Sequence, residues 1–457
     1  MKRTTFSLSL IALLLISCSQ KQTSTPSERL AWHKNALVKG YENYGRQNPK
    51  WDKPAKEALE QFAEIRAGQG DLTAGASLVG YSAQEALKAG CDDPLIKYLY
   101  GRFASDYSTH PLSYWQDLFR QAADGLENSG YSPLLKFYAN DRTANVVWED
   151  RDQSKWQDVV KYRRAAMNDL AVALQDKSLP VDEVEAAGEA LLDTIGQNDK
   201  ETKDAYDGIQ GPLFQNWPHT AAAYYLKARF YYRFAWQARG GGYANSVTEE
   251  GWKGFKENLA IADAAYRKAW SLNPKDVRIP TQMIEMTVSE QLDRKEMEQW
   301  FQRAMRLNTN NYDACSEKLR YLRPEWYGSR DDMLAFGREC AASTTWGGRV
   351  PLILVDAHYD CAVSLPQEDR AAYWKQPDVW PDIQSSYEKF FQLNPDVKDD
   401  YRYYYARYAF YCGQWQDFNK QVKLIRDADG TVNTAFFGGD EEFDKMMEQA
   451  NAGGPKD

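Results

Sequence analysis

The chain of 457 residues carries 56 Lys and Arg against 65 Asp and Glu, a net charge of −9, and 14% of its residues are aromatic, with 15 Trp and 29 Tyr. Phosphate backbones are gripped by clustered Lys and Arg, and every basic run here is interleaved with Asp or Glu, so nucleic acid is excluded as a partner and anionic lipid surfaces are disfavoured. The length accommodates about three domains or one extended array, with ample chain for a large core.

The first segment is expected to be removed. Lys2 and Arg3 give a positive start, residues 6–16 are apolar except for Ser7 and Ser9, and Gln20, Lys21 and Gln22 end the run. An apolar stretch that short does not span a bilayer, which takes roughly 20 residues, and the arrangement is that of a secretory signal over residues 1–17. Leu15-Ile16-Ser17-Cys18 resembles a bacterial lipobox. The resemblance implies that Cys18 is lipidated and becomes the first residue of the mature chain, and that residues 18–27 are a flexible polar tether. In such lipoproteins an Asp after the cysteine favours the inner membrane, so Ser19 implies delivery to the outer membrane of a cell envelope. Loss of Lys2 and Arg3 takes the net charge to −11.

Beyond the tether the pattern is helical. Apolar residues recur at spacings of three and four over residues 30–44, 55–65, 95–103, 112–126, 159–174, 184–195 and 221–238. Gly45, Gly90, Pro94, Gly130, Pro180 and Gly211-Pro212 are read as punctuation between helices. An irregular helical domain is placed at 28–210 and a repeat domain at 219–449, with the boundary in the polar stretch 196–218. Gly240-Gly241-Gly242 has neither a preceding strand nor the Gly-Lys-Ser/Thr of a phosphate loop, so it is read as a helix C-cap with a turn, followed by a capping box at Ser246-Val-Thr-Glu249. The aromatic side chains fall mostly at helical spacing and are assigned to packing between helices.

A repeat follows. Ala262, Tyr266, Ala269 and Pro274 are spaced by four, three and five; Met297, Phe301, Ala304 and Thr309 repeat those steps, and Ile383, Tyr387, Phe390 and Pro395 repeat them again. The strings Tyr-Arg-Lys-Ala-Trp-Ser-Leu-Asn-Pro, Phe-Gln-Arg-Ala-Met-Arg-Leu-Asn-Thr and Tyr-Glu-Lys-Phe-Phe-Gln-Leu-Asn-Pro resemble the second helix of tetratricopeptide repeats. Ala406, Phe410, Gly413, Trp415 and Phe418 resemble the first helix, turn and second helix of one further unit. Between the second and third units, Tyr321-Leu-Arg-Pro-Glu-Trp-Tyr-Gly-Ser329 and Met333-Leu-Ala-Phe-Gly-Arg-Glu-Cys340 resemble a bacterial helical domain family of unknown function. Ala238-Arg-Gly-Gly-Gly-Tyr-Ala244 and Ala89-Gly-Cys-Asp-Asp-Pro-Leu95 are similar to the same family. These resemblances imply an all-α fold of antiparallel helix pairs stacked as a tetratricopeptide-like α-solenoid, and they imply no chemistry.

Reaction centres are hard to nominate. There is no Gly-x-Ser-x-Gly elbow, and nothing pairs a serine or cysteine with a histidine. Asp356, His358 and Asp360 are ligand types for a metal, but residues two apart on a helix point to different sides, and only Asp356 and Asp360 share a face; His358 is therefore expected to be buried or capped. With four histidines in the chain and no HxxxH or HExxH pair, no metal and no cofactor are expected. Glu149-Asp150 and Glu249-Glu250 are read as solvated helix faces. Cys91, Cys315, Cys340, Cys361 and Cys412 show no CxxC or zinc spacing and are mostly taken as small buried hydrophobes. In the last hairpin, Asp400, Tyr403 and Arg407 fall at spacings of three and four on the face that lines the groove of tetratricopeptide arrays, where Tyr and Arg grip a peptide.

The function expected is that of a membrane-tethered, non-enzymatic binding or scaffolding lipoprotein whose helical surface takes protein or peptide partners. The alternative is glycan capture at the cell surface, motivated by the aromatic content, the anchor and Ala228-Arg-Phe-Tyr-Tyr-Arg-Phe-Ala235, which resembles starch-binding uptake lipoproteins. An α-helical glycoside-cleaving enzyme is the least favoured reading.

Overall fold

The computed structural model describes residues 23–195, 199–291, 293–397 and 400–453. The secretory signal, Cys18 and residues 19–22 lie outside the described residues, and the expected tether over 18–27 is corrected at its far end, where the Ser24 amide donates to Asp182 and Thr25 caps helix Pro26–Lys34. Every regular element among the described residues is helical, and the helices pack against one another. The expected all-α class of stacked helix pairs is thus observed. The chain forms two compact units, 1–273 and 274–457.

In the first unit the helices form because small and apolar residues line one side. Helix Asp52–Arg66 buries Ala55, Ala58, Leu59, Phe62 and Ala63, and it lies on helix Leu72–Lys88, which buries Val79, Gly80, Ser82, Ala83 and Ala86. Alanines on both sides bring the backbones close, and rings fill what remains: Phe62 meets Phe103 at 5.4 Å between centroids, and Tyr98 meets Phe119 at 6.4 Å. A fully buried ring such as Phe119 stabilises by roughly 1.5–3 kcal/mol relative to exposure. Caps set the starts. Thr25 and Glu28 form a reciprocal capping box on helix Pro26–Lys34. Asp93, wholly buried, accepts from the Leu95 and Ile96 amides at 2.9 and 3.4 Å with Pro94 as first helical residue, and also from the Arg46 amide at 2.8 Å. One carboxylate thereby caps a helix and ties down a loop 47 residues away.

Helix Ala221–Arg239 ends where the glycine triplet implied, at Gly240 with φ of 76°. Two readings are corrected. Helix Glu249–Leu272 is capped by Thr248, which accepts from the Gly251 amide, while the Ser246 hydroxyl donates to the Tyr243 carbonyl instead. Gly211-Pro212 separates nothing, since it lies inside helix Asp199–Asn216; Tyr206, Ile209 and Leu213 are buried along it, and that packing outweighs the amide that proline lacks.

In the second unit, helices Arg278–Ser289 and Arg294–Leu307 pack together, as do Tyr312–Tyr321 with Ile353–Val363, Ile353–Val363 with Val379–Leu393, and Asp400–Tyr411 with Trp415–Asp429. Each of the three recurring strings closes a helix at the same step, before Asn273, Asn308 and Asn394. Their patterned positions are buried throughout: Ala262, Tyr266 and Ala269; Met297, Phe301 and Ala304; Ile383, Tyr387 and Phe390. The last hairpin turns at Gly413, φ 72°, where the Gln414 amide reaches back to the Ala409 carbonyl at 2.8 Å and the Gly413 amide to Phe410 at 2.9 Å. That pair of bonds satisfies helix-end carbonyls and needs a left-handed residue.

Candidate functional site

The helix Asp400–Tyr411 reads Asp-Tyr-Arg-Tyr-Tyr-Tyr-Ala-Arg-Tyr-Ala-Phe-Tyr and has no polar side in the usual sense. Its faces are spent differently. Tyr403, Ala406 and Ala409 point into an apolar cluster with Phe418, Val422 and Phe437, Tyr405 stacks on Tyr387 at 4.6 Å, and Tyr401, Tyr404, Arg407, Tyr408 and Tyr411 line a cleft of about 640 Å³ within the second unit. Small-molecule sites occupy roughly 300–1,000 Å³.

The opposite wall comes from helix Ile353–Val363 and its approach, with Arg349, Leu352, Val355, Asp356 and Tyr359, while Tyr312 and Tyr387 complete the floor and Trp374 one end. Trp374 lies 5.3 Å from the Tyr408 ring and 6.2 Å from Tyr411. These contacts fix the rings that point inward. Other rings present open faces, since Tyr359 is 51% exposed, Tyr404 43% and Tyr411 37%. Fixed rings beside exposed ones make a surface that is apolar in its planes and hydrogen-bonding at its hydroxyl edges.

The lining holds one carboxyl group, Asp356. Burial pushes it up to about 6, against the pull of the Tyr312 hydroxyl, which donates to it, and of Arg349; Asp360 adds to the rise. The same burial, with the Asp356 charge beside it, raises Tyr312, so its proton stays on oxygen. Arg349 lies over the Tyr312 ring at 4.0 Å.

His358 takes no part in the cleft. It is fully buried, with Nδ1 2.9 Å from the Tyr373 hydroxyl and Nε2 3.1 Å from an Asp382 oxygen. Burial lowers its pKa although Asp382 opposes this, which keeps the ring neutral at pH 7. The expected buried histidine is therefore present. Asp360 turns to Arg323 at 2.7 Å, and among the described residues no group of His, Cys, Asp and Glu is arranged to hold a metal. Cys91, Cys315, Cys340, Cys361 and Cys412 are free thiols, all buried, as small hydrophobes would be.

Of the three residues singled out on the last hairpin, Arg407 lines the cleft and donates to the Tyr411 hydroxyl at 2.9 Å. Tyr403 is buried, stacked on Phe436 at 4.4 Å, with its hydroxyl accepting from the Asn433 amide at 3.0 Å. Asp400 is exposed at the helix start. The inward positions are offset by one residue, at Tyr401, Tyr404, Tyr408 and Tyr411, and sequence reasoning passed over them. Their own spacing of three, four and three was the available signal.

Other hollows are less developed. A void lined by Trp32, His33, Arg66, Tyr138 and Glu183 measures about 30 Å³, room for a single water, and a shallower recess by Tyr206, Tyr231 and Gln237 measures about 380 Å³. The sequence matches no known protein-family model and no curated protein.

Proposed function

We propose that the protein is a non-enzymatic binding module of the cell envelope, tethered through lipid on Cys18, and that its second unit holds its ligand in the tyrosine-lined cleft. Of the two ligand classes left open by the sequence, the lining favours a glycan. The observation that carries this is the density of ring faces and phenol hydroxyls in one cleft: a pyranose lays its C–H face on a ring while its hydroxyls exchange hydrogen bonds with phenols. A single carboxyl group supports binding over cleavage, because glycosidases employ two, roughly 5–9 Å apart. A peptide partner is the second reading, favoured by Arg407 and Tyr411 standing together on a helix hairpin.

Electrophoresis through gels containing polysaccharide is expected to retard the protein, and Tyr404→Ala to weaken that retention about tenfold, equivalent to roughly 1.4 kcal/mol. No retardation by any polysaccharide, with a peptide crosslinking at the cleft instead, would move the assignment to the second reading. No described helix is long and apolar enough to cross a membrane, and an acylated cysteine supplies about 0.8 kcal/mol per buried CH₂. Cys18→Ala is accordingly expected to shift the protein from the membrane pellet to the soluble fraction; unchanged pelleting would refute the anchor.

A further inference from the structure

Three guanidiniums stand at the cleft without an ion-pair partner among the described residues. Arg349 lies over the Tyr312 ring, Arg370 donates to the carbonyls of Leu365 and Val363 at 3.1 and 3.0 Å, and Arg407 donates to the Tyr411 hydroxyl. None is ion-paired among the described residues, whereas arginines just outside the lining are: Arg323 meets Asp360 at 2.7 Å, and Arg338 meets Asp378 and Asp382 at 3.1 and 2.8 Å. In a chain with 65 acids against 56 bases, carboxylates are the more abundant partner, so three cations facing one cleft without an ion pair call for an anion from outside. The one acid in the lining, Asp356, attracts Arg349 but forms an ion pair with none of the three, its carboxylate being engaged by the Tyr312 hydroxyl.

Resting on the glycan reading above, we propose that the ligand is an acidic oligosaccharide carrying carboxylates along a pyranose chain, that is, a uronic-acid oligomer. Its ring faces lie on Tyr359, Tyr404 and Tyr411, and its carboxylates take the forked donors of Arg349 and Arg407, a geometry that guanidinium matches with two parallel hydrogen bonds. Arg370, already holding two carbonyls, adds long-range attraction at the rim. Neutral sugars of the same length use the rings alone. The same cation set would also attract an acidic peptide, but the ring faces suit pyranose units, and an acidic peptide is therefore one of the probes.

The test uses the detergent-solubilised full chain and three probes: hexagalacturonate, maltohexaose and hexaglutamate. Calorimetry at about 150 mM salt, where exposed charges are screened beyond roughly 8 Å, is expected to show hexagalacturonate bound at least tenfold more tightly than maltohexaose, with an affinity that falls as salt rises. Arg349→Gln with Arg407→Gln is expected to cost at least tenfold for the acidic sugar and less than twofold for the neutral one, and Arg407→Lys to fall between. Both arginines are on the surface of the cleft, and an unchanged melting temperature verifies the fold of each variant. Equal affinity for both sugars, or indifference to the double substitution, overturns the acidic ligand while leaving the glycan reading standing if Tyr404→Ala still weakens binding about tenfold. Arginine-dependent binding of hexaglutamate without hexagalacturonate overturns both in favour of a peptide. Binding of none of the probes overturns the acidic ligand, and retardation in neutral polysaccharide gels then decides the glycan reading separately.

Discussion

Gly80→Ala is expected to destabilise the first unit by about 2–4 kcal/mol, enough to remove much of the stability of an ordinary domain. Gly80 sits in the middle of helix Leu72–Lys88, where glycine is normally a liability of about 1 kcal/mol against alanine. Here the missing Cβ is what allows the helix to lie against the end of helix Pro94–Phe103: a methyl would fall far inside the van der Waals contact distance of the Phe103 carbonyl oxygen, with the carbonyl carbon 2.8 Å away. Both obstacles are backbone, so no rotamer change relieves the clash. The helices must separate, and Phe62, Val79, Ala83, Leu95 and Leu99, packed in the same core, must follow. Two controls separate sterics from propensity. Gly75→Ala meets only the Ile65 side chain, at 3.1 Å, which can turn aside, and Gly211→Ala meets nothing within 4 Å inside a helix. Denaturant melts followed by circular dichroism should give near-neutral behaviour for the first and a gain of roughly 0.5–1 kcal/mol for the second. If Gly80→Ala melts with Gly211→Ala, the close approach is not as described.

That contact also illustrates why part of the fold could be read in advance and part could not. Helices such as Asp52–Arg66 and Leu112–Glu127 advertise themselves because Leu, Phe, Trp and Ala recur on one face and polar residues on the other. Helix Leu72–Lys88 does not, because apart from Val79 its buried face is built of Gly80, Ser82, Ala83 and Ala86, whose value is thinness rather than hydrophobicity. Helix Pro133–Val147 hides for the opposite reason. It is buried on several sides, including Asn140 and Thr143, so no stripe stands out from the rest. The Asn140 amide donates to Glu127 and Asp169 at 2.7 and 2.8 Å, partnerships that depend on two other helices and leave no mark in local sequence.

The cleft was legible residue by residue and not as a site. Tyr387 was visible as a repeat ring and Arg407 as a groove residue, and Asp356 drew notice for metal chemistry that its surroundings do not support. What joins them is tertiary: the lining runs from Tyr312 to Tyr411 through several helices. Spacing places Asp400, Tyr403 and Arg407 along one strip of helix, but packing of the C-terminal residues, Phe436 against Tyr403 above all, decides how far around the helix the buried face extends. A one-residue offset separates a core tyrosine from one in the cleft, and periodicity alone cannot fix that phase when six of twelve residues are tyrosine.

Asp141→Asn is expected to stabilise the protein at pH 8 and to leave it nearly unchanged at pH 4. Asp141 lies on helix Pro133–Val147 with its Oδ1 shut off from solvent and without a hydrogen-bond partner. Burial pushes the carboxyl up to about 7 and Asp193 adds to the rise, while Thr194, Arg102 and Arg142 pull it down. The sign follows from proton binding. Between the unfolded value of 3.8 and the folded value near 7 the native state holds a proton that the unfolded chain has released, so raising the pH through this window favours unfolding. The full window is worth about 1.4 kcal/mol per unit, on the order of 4 kcal/mol at pH 8 before relaxation around the charge reduces it. Asn keeps the shape and the neutral polarity of the protonated acid and has no proton to lose, so it should recover about 2–4 kcal/mol at pH 8. Asp169, also raised to about 7 by burial and by Glu127, and Glu317, raised to about 7 by burial, remain in the variant. Its melting temperature should therefore still fall between pH 5 and 8, but less steeply than that of the parent chain. Denaturation curves for the two proteins across that range decide the matter: an Asn variant that is weaker than the parent at pH 8 would mean that Asp141 is held as a satisfied carboxylate, its charge stabilised by Arg102 and Arg142 rather than opposed by burial.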